Sequence, residues 1–311
     1  MHQFIYALVF SLALMGCEKK GDTPVVPLTN QATQTGAQTA AQADIPDPHA
    51  AMDDKLVMVV ERNMILDRDV APLEAYLSGA IGKKVIVEVV PADEQVIEAL
   101  RKGEAQMSYT AAWTFMIAHQ RADMEVEAVA TVAETAETDS LWVVLAKAPI
   151  KSLANLKGKK IAFTYASSAE GFLFPLASLM EAKVLSPDDD PEKVFALVAF
   201  AGSDTAALEG LRAKKYDAVA ISGDAWPKEA KDLRILSKQG PVPRAAFASK
   251  STLDPELKSK ISAALLGMDA AENDELRTKF FGKVGLTAKA HHEYTQALQK
   301  AIDVVDAEYP L

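Results

Sequence analysis

The chain has 311 residues, with 33 Lys and Arg against 43 Asp and Glu and a formal net charge of −10. Short basic groups such as Lys157-Gly158-Lys159-Lys160 sit beside acidic ones, which excludes the contiguous basic face that nucleic-acid binding requires. Cys17 is the single cysteine, so the folded part holds neither a disulfide nor a cysteine metal site.

Phe4 to Gly16 is an apolar run of signal-peptide length, shorter than the roughly 20 residues of a membrane-spanning helix. Leu14-Met15-Gly16-Cys17 resembles the bacterial lipobox, which implies acylation of Cys17; an ordinary secretory signal with a chance cysteine is the alternative. Residues 1–16 are therefore read as a signal peptide. Residues 17–52 are read as the anchor cysteine and a flexible linker rich in Thr, Ala, Gln, Pro and Asp. Glu18 does not resemble the aspartate that retains many such lipoproteins in the inner membrane. A periplasm-facing position on the inner or the outer membrane follows.

Leu56–Val60 is a β-type run, followed by a helical segment around 71–77 and a strand over 84–90. Asp93 or Glu94 is placed to cap a helix carrying Val96, Ile97 and Leu100, which ends near Gly103. A short strand over 106–109, a helix from Thr110 through Ala118 and a strand over 126–132 come next. This alternation predicts a mostly parallel sheet covered by helices. Ser140–Ala146 reads as a long strand leaving the first domain. A second α/β unit follows: a strand over 160–164, a helix over 170–182, a strand over 195–200, a helix over 204–213 and a strand over 218–221. Residues 242–248 read as the return crossing, and helices over 254–267 and 287–308 close the chain. The expected organisation is a first α/β domain of 53–138 and 244–311 and a second of 139–243, joined by hinge strands at its borders.

Two small-residue turns stand out. Ser167-Ser168-Ala169-Glu170-Gly171-Phe172-Leu173-Phe174-Pro175 and Ala199-Phe200-Ala201-Gly202-Ser203 each lie between an apolar run and a helix. Backbone N–H groups at such helix starts are suited to orient an oxygen-bearing head group. With Leu153–Phe163, Ile235–Pro243 and Leu253–Lys258, these segments resemble the periplasmic substrate-binding proteins of phosphate, phosphite and phosphonate ABC transporters. The resemblance implies a two-lobed α/β fold of the type II periplasmic-binding-protein kind, with two crossing hinge strands. It also implies capture of a ligand by domain closure and delivery to a membrane permease or another periplasmic transport partner. The family's Ser-Thr-Ser-Gly helix start corresponds to Ser168-Ala169-Glu170-Gly171, and the His after Gly-Ser in the next loop corresponds to Asp204. Both departures are acidic, and they suit an amine, a hydroxyl or a metal-bearing ligand better than an anion.

Candidate ligand contacts are Tyr109, Thr110, Trp113, Tyr165, Ser167, Ser168, Glu170, Ser203 and Asp204. Each has a structural alternative as a helix cap or core residue. Arg62, Asp224 and Trp226 are further candidates for the cleft wall. The function expected is solute capture for transport, with a phosphonate-like ligand. Alternatives are an apolar, lipid-like or amine-bearing ligand, or a periplasmic sensor or interaction lipoprotein. No nucleophile elbow, P-loop or Cys/His cluster is present, so an enzyme is the poorer reading, and neither a cofactor nor a metal is called for.

Overall fold

The computed structural model describes residues 55–227 and 229–305; the signal peptide, Cys17 and the linker lie outside them. Strand β1 (Lys55–Glu61) buries five residues in succession, Leu56–Val60, as a strand covered on both faces must. Helix α1 (Ala71–Ile81) stops at Gly82, which takes the left-handed conformation and donates to Ser78 O. Then come β2 (Lys84–Val90), the amphipathic α2 (Asp93–Arg101), β3 (Met107–Thr110), α3 (Ala112–Ala122) and β4 (Met124–Thr131). Strand β5 (Glu137–Leu145) opens a second sheet, continued by β6 (Lys160–Phe163), a π-type turn over Ala169–Leu173, α4 (Phe174–Glu181) and the short α5 (Pro191–Val194). Next are β7 (Leu197–Phe200), α6 (Asp204–Arg212), β8 (Ala218–Ser222) and β9 (Leu233–Pro243). The chain returns through β10 (Ala246–Lys250) and closes with α7 (Pro255–Gly267), α8 (Asp274–Phe281), β11 (Gly285–Thr287) and α9 (His291–Val305).

The first sheet has the order β11-β4-β10-β3-β1-β2 and the second β7-β6-β8-β5-β9. This is the expected α/β arrangement, but neither sheet is mostly parallel. β1 pairs in parallel with β2 and β3, and β6 with β7 and β8. The crossing strands and their neighbours β4, β10, β11, β5 and β9 all pair antiparallel. The cause is the double crossing: a chain that leaves one sheet and returns must run its outgoing and incoming strands in opposite directions. Between the sheets the two crossings lie side by side, with Arg244 N donating to Ala136 O at 3.0 Å and Ala130 N to Ala245 O at 2.9 Å.

Three local expectations are corrected. The segment expected as a helix from 170 begins as a π turn, because Ser168 O accepts from both Phe172 N and Leu173 N at 3.1 Å. The closing region holds an additional helix, α8. Thr287, expected to open the last helix, is instead drawn with Gly285 and Leu286 into the first sheet by pairing with β4. Asp93 does not cap α2: the N-cap is Ala92, with no side-chain bond. Ser203 is a cap, the structural alternative given for it, accepting from Ala206 N; Asp254 also caps its helix, accepting from Glu256 N and Leu257 N ahead of Pro255.

One apolar core backs the first sheet, around Leu73, Leu77, Phe247 and Phe280. Another joins both sheets through Val57, Trp113, Trp142, Phe172 and Leu298. Helix α9 contributes to that joint by packing on α3 and β4 on one side and on α4 and β9 on the other. Its Tyr294, fully buried, donates its hydroxyl to Arg244 O at 2.6 Å in the returning crossing.

Candidate ligand-binding site

In open α/β sheets, loops at the C-terminal ends of parallel strands surround a crevice suited to ligands. In the first sheet those loops follow β1, β2 and β3 and carry Glu61, Asp93 and the start of α3. In the second they follow β6, β7 and β8 and carry Tyr165–Glu170, Gly202–Asp204 and Gly223–Asp224.

The second group is tied together by its own backbone. Ser140 on β5 pairs with Ser222 on β8. Ser140 Oγ donates to Glu170 O at 2.6 Å, and Ser222 N donates to Asp204 Oδ1 at 2.9 Å. Ser222 Oγ accepts from Asp224 N at 3.3 Å. Gly202 sits at φ 84°, a region that favours glycine, and its N–H thereby reaches Thr164 O at 2.8 Å. Gly171 is constrained by space instead: a Cβ there would stand 1.8 Å from Thr164 Oγ1. Glu170 and Asp204 therefore converge, and Asp224 lies within electrostatic reach of both.

At the first helix start, the N–H groups of Gly171, Phe172 and Leu173 are taken up within the turn. Ser168 Oγ accepts from Gly171 N at 2.8 Å, and Ser168 O takes the next two N–H groups. Glu170 folds its carboxylate back to its own N–H and accepts from the Ser168 hydroxyl at 3.2 Å. A carboxylate already fills the place that an anion would seek. Ser203, exposed, is engaged as the cap of α6.

Across the crevice, the Asp93 carboxyl meets the Ser167 hydroxyl, a contact between loops of the two sheets. Thr114 Oγ1 faces the same carboxyl, fully buried, without closing a hydrogen bond. Burial is the main reason that the Asp93, Glu170 and Asp204 carboxyls are pushed above the usual range. Asp204 and Asp224 raise Glu170 further, and Asp224 raises Asp204. Tyr165 stands 46% exposed among these groups. Burial of its hydroxyl, then the charges of Glu170 and Asp204, push it up to about 12. Glu61 is also raised, first by burial, with Asp93 adding to it. Asp224 alone of this set is lowered, because Arg244 hydrogen-bonds it.

The structure thus brings together Tyr165, Ser167, Ser168, Glu170 and Asp204. It leaves Tyr109 in the apolar core behind the first sheet, stacked on Phe247 at 4.3 Å and edge-on to Phe281 at 5.2 Å. Trp113 is buried in the joint core, and Thr110 is buried with an unpartnered hydroxyl. Arg62 is exposed and acts on Glu61, not on Glu170. Asp93 was missed as a cleft residue. Its signal was position, three residues past the end of the parallel strand β2, but the same position suits a helix cap.

A family model described as the periplasmic substrate-binding protein of phosphonate ABC transporters matches residues 57–294. Among solved structures, XAC2383 from Xanthomonas citri bound to ATP is 22% identical, with a TM-score of 0.69 over 81% of this chain and 97% of that one. PhnD1 from Prochlorococcus marinus in complex with methylphosphonate is 16% identical, with a TM-score of 0.61 over 81% and 98%. A binding-protein component of an ABC phosphonate transporter from Pseudomonas aeruginosa is 17% identical, with a TM-score of 0.57 over 82% and 89%. At these identities the structures speak to the fold, which is that of the type II periplasmic binding proteins. The chain belongs to the periplasmic substrate-binding proteins of phosphonate ABC transporters, a family of transport proteins and not of enzymes.

Proposed function

We propose that this chain captures a small solute between its two sheets and presents it to a membrane permease, while an acylated Cys17 holds it at the membrane. The contact of Asp93 with Ser167 carries this reading, because it joins loops of the two sheets where Asp93, Glu170 and Asp204 all act on Tyr165. Residues 53–138 with 244–311 and residues 139–243 are the two moving units. The paired crossings near Ala136 and Arg244 are the hinge. Tyr165, Ser167, Glu170 and Asp204 are the contacts to the solute's polar end. Closure that depends on the solute couples occupancy to the surface a permease reads.

Native mass spectrometry of the full chain released from membranes, followed by scattering of the emptied and refilled protein, tests capture. A reproducible solute and a smaller radius of gyration on refilling are expected; a chain that leaves the membrane empty and keeps one shape in any solute mixture sinks the reading. Loss of membrane attachment in Cys17→Ser tests the anchor separately.

A further inference from the structure

We infer that the crevice is built to receive a small organic cation, a ligand carrying a protonated amine, and not a free oxyanion. The inference rests on the solute-capture reading above and names the ligand class for that site.

The geometry argues it in three steps. First, the anion position at the helix start is self-occupied. The Glu170 carboxylate sits on its own N–H and on the Ser168 hydroxyl, while Ser168 takes the neighbouring N–H groups. An incoming oxyanion would meet the oxygens of the Glu170 carboxyl where it needs free N–H donors. Second, the protein's cations are spent or turned outward. Arg244 gives its guanidinium to Asp224 and to Thr135 O at 2.9 Å. Arg62 and Arg68, which act on Glu61, are exposed. Glu170, Asp204 and Asp93 are left crowded around Tyr165 without a basic partner among the described residues.

The third step concerns the hydroxyls beside these acids. Thr114 Oγ1 is fully buried and faces the Asp93 carboxyl without closing a well-formed hydrogen bond. Thr110, the last residue of β3, also keeps a buried unpartnered hydroxyl. Buried polar atoms without partners are uncommon in native folds. An ammonium group brings three donors that carboxylate and hydroxyl oxygens accept. The half-exposed Tyr165 ring supplies a face for the same cation.

The test is isothermal titration of the full chain with 1,4-diaminobutane and ethanolamine against methylphosphonate and inorganic phosphate. The inference expects at least one amine to bind, neither anion to bind, and Glu170→Gln and Asp204→Asn each to weaken the amine about tenfold or more. Both substitutions keep side-chain shape, and thermal unfolding verifies that the variants are folded. Binding of methylphosphonate or phosphate in place of the amines overturns the ligand class and leaves solute capture standing. Amine binding that neither variant weakens overturns the assignment to this crevice. No binding by any of the four, with a solute still present on the membrane-released chain, overturns the amine class alone; an empty chain overturns both readings.

Discussion

Arg244 grips Asp224 with two guanidinium nitrogens, Nη2 reaching Oδ1 at 2.9 Å, at the point where the returning crossing leaves the second sheet. The same guanidinium donates through Nε to Thr135 O beside the outgoing crossing. One residue, 9% exposed, thus fastens the loop after β8 to both crossings between the sheets.

Asp224→Asn therefore costs stability. The carboxylate is 42% exposed, and solvent screening limits the loss to about 1 kcal/mol. Arg244 holds the Asp224 carboxyl below its usual range. Its contribution is present above the ordinary value of 3.8 and is lost as pH falls through the depressed one. Urea unfolding at pH 7 and pH 3 checks this: the gap between wild type and variant should be open at pH 7 and narrowed at pH 3.

Glu170→Gln has the opposite sign. Burial and neighbouring carboxylates raise Glu170 in the folded state, so the fold favours its protonated form. The stabilisation this gives is complete below the ordinary value of 4.5 and is lost as pH rises through the raised one. At pH 7 the empty variant should be more stable by roughly 1 kcal/mol, or about 2–4 °C in Tm. The advantage should fade below pH 4.5. A variant less stable than wild type at pH 7 would show that the carboxylate is paid for locally. Unfavourable charges of this kind mark functional sites more often than structural ones.

Gly171→Ala should destabilise by about 1–3 kcal/mol through overpacking, since its Cβ would stand 1.8 Å from Thr164 Oγ1 and 2.9 Å from Thr164 Cβ. Adding Thr164→Ala removes the nearer atom and keeps the other, so rescue should be partial. Full rescue, or no loss in the single variant, would show that the π turn relaxes freely.

Tyr294→Phe removes the 2.6 Å bond to Arg244 O and leaves that carbonyl buried without it. A loss of about 1–2 kcal/mol is expected in denaturant unfolding. Solute affinity should change along with stability if α9 tethers the hinge. Unchanged stability would remove Tyr294 from the joint between the lobes.

Much of the fold was legible because it is local. The apolar run Leu56–Val60, the Ser203 helix start and Gly103 just past a helix end each act within a few residues. Strand direction was not legible in this way. Whether β10 runs with or against β3 depends on the chain having crossed to a second sheet after β4 and returned through β9. Thr287 reads as the start of a helix until an edge of β4 is available to pair with it.

At the site, sequence by itself determined residue chemistry: hydroxyls and a carboxylate at Ser167, Ser168 and Glu170, and a second acid at Asp204 after a glycine turn. Only the tertiary structure decided that those acids meet, because the order β7-β6-β8-β5 sets their loops side by side and pairs Ser140 with Ser222. It also placed Asp93 against Ser167 and sent Tyr109 into the core. Charge type is a property of one residue. Proximity, burial and the resulting strain between like charges belong to segments far apart in the chain, and these exist only once the strands are packed.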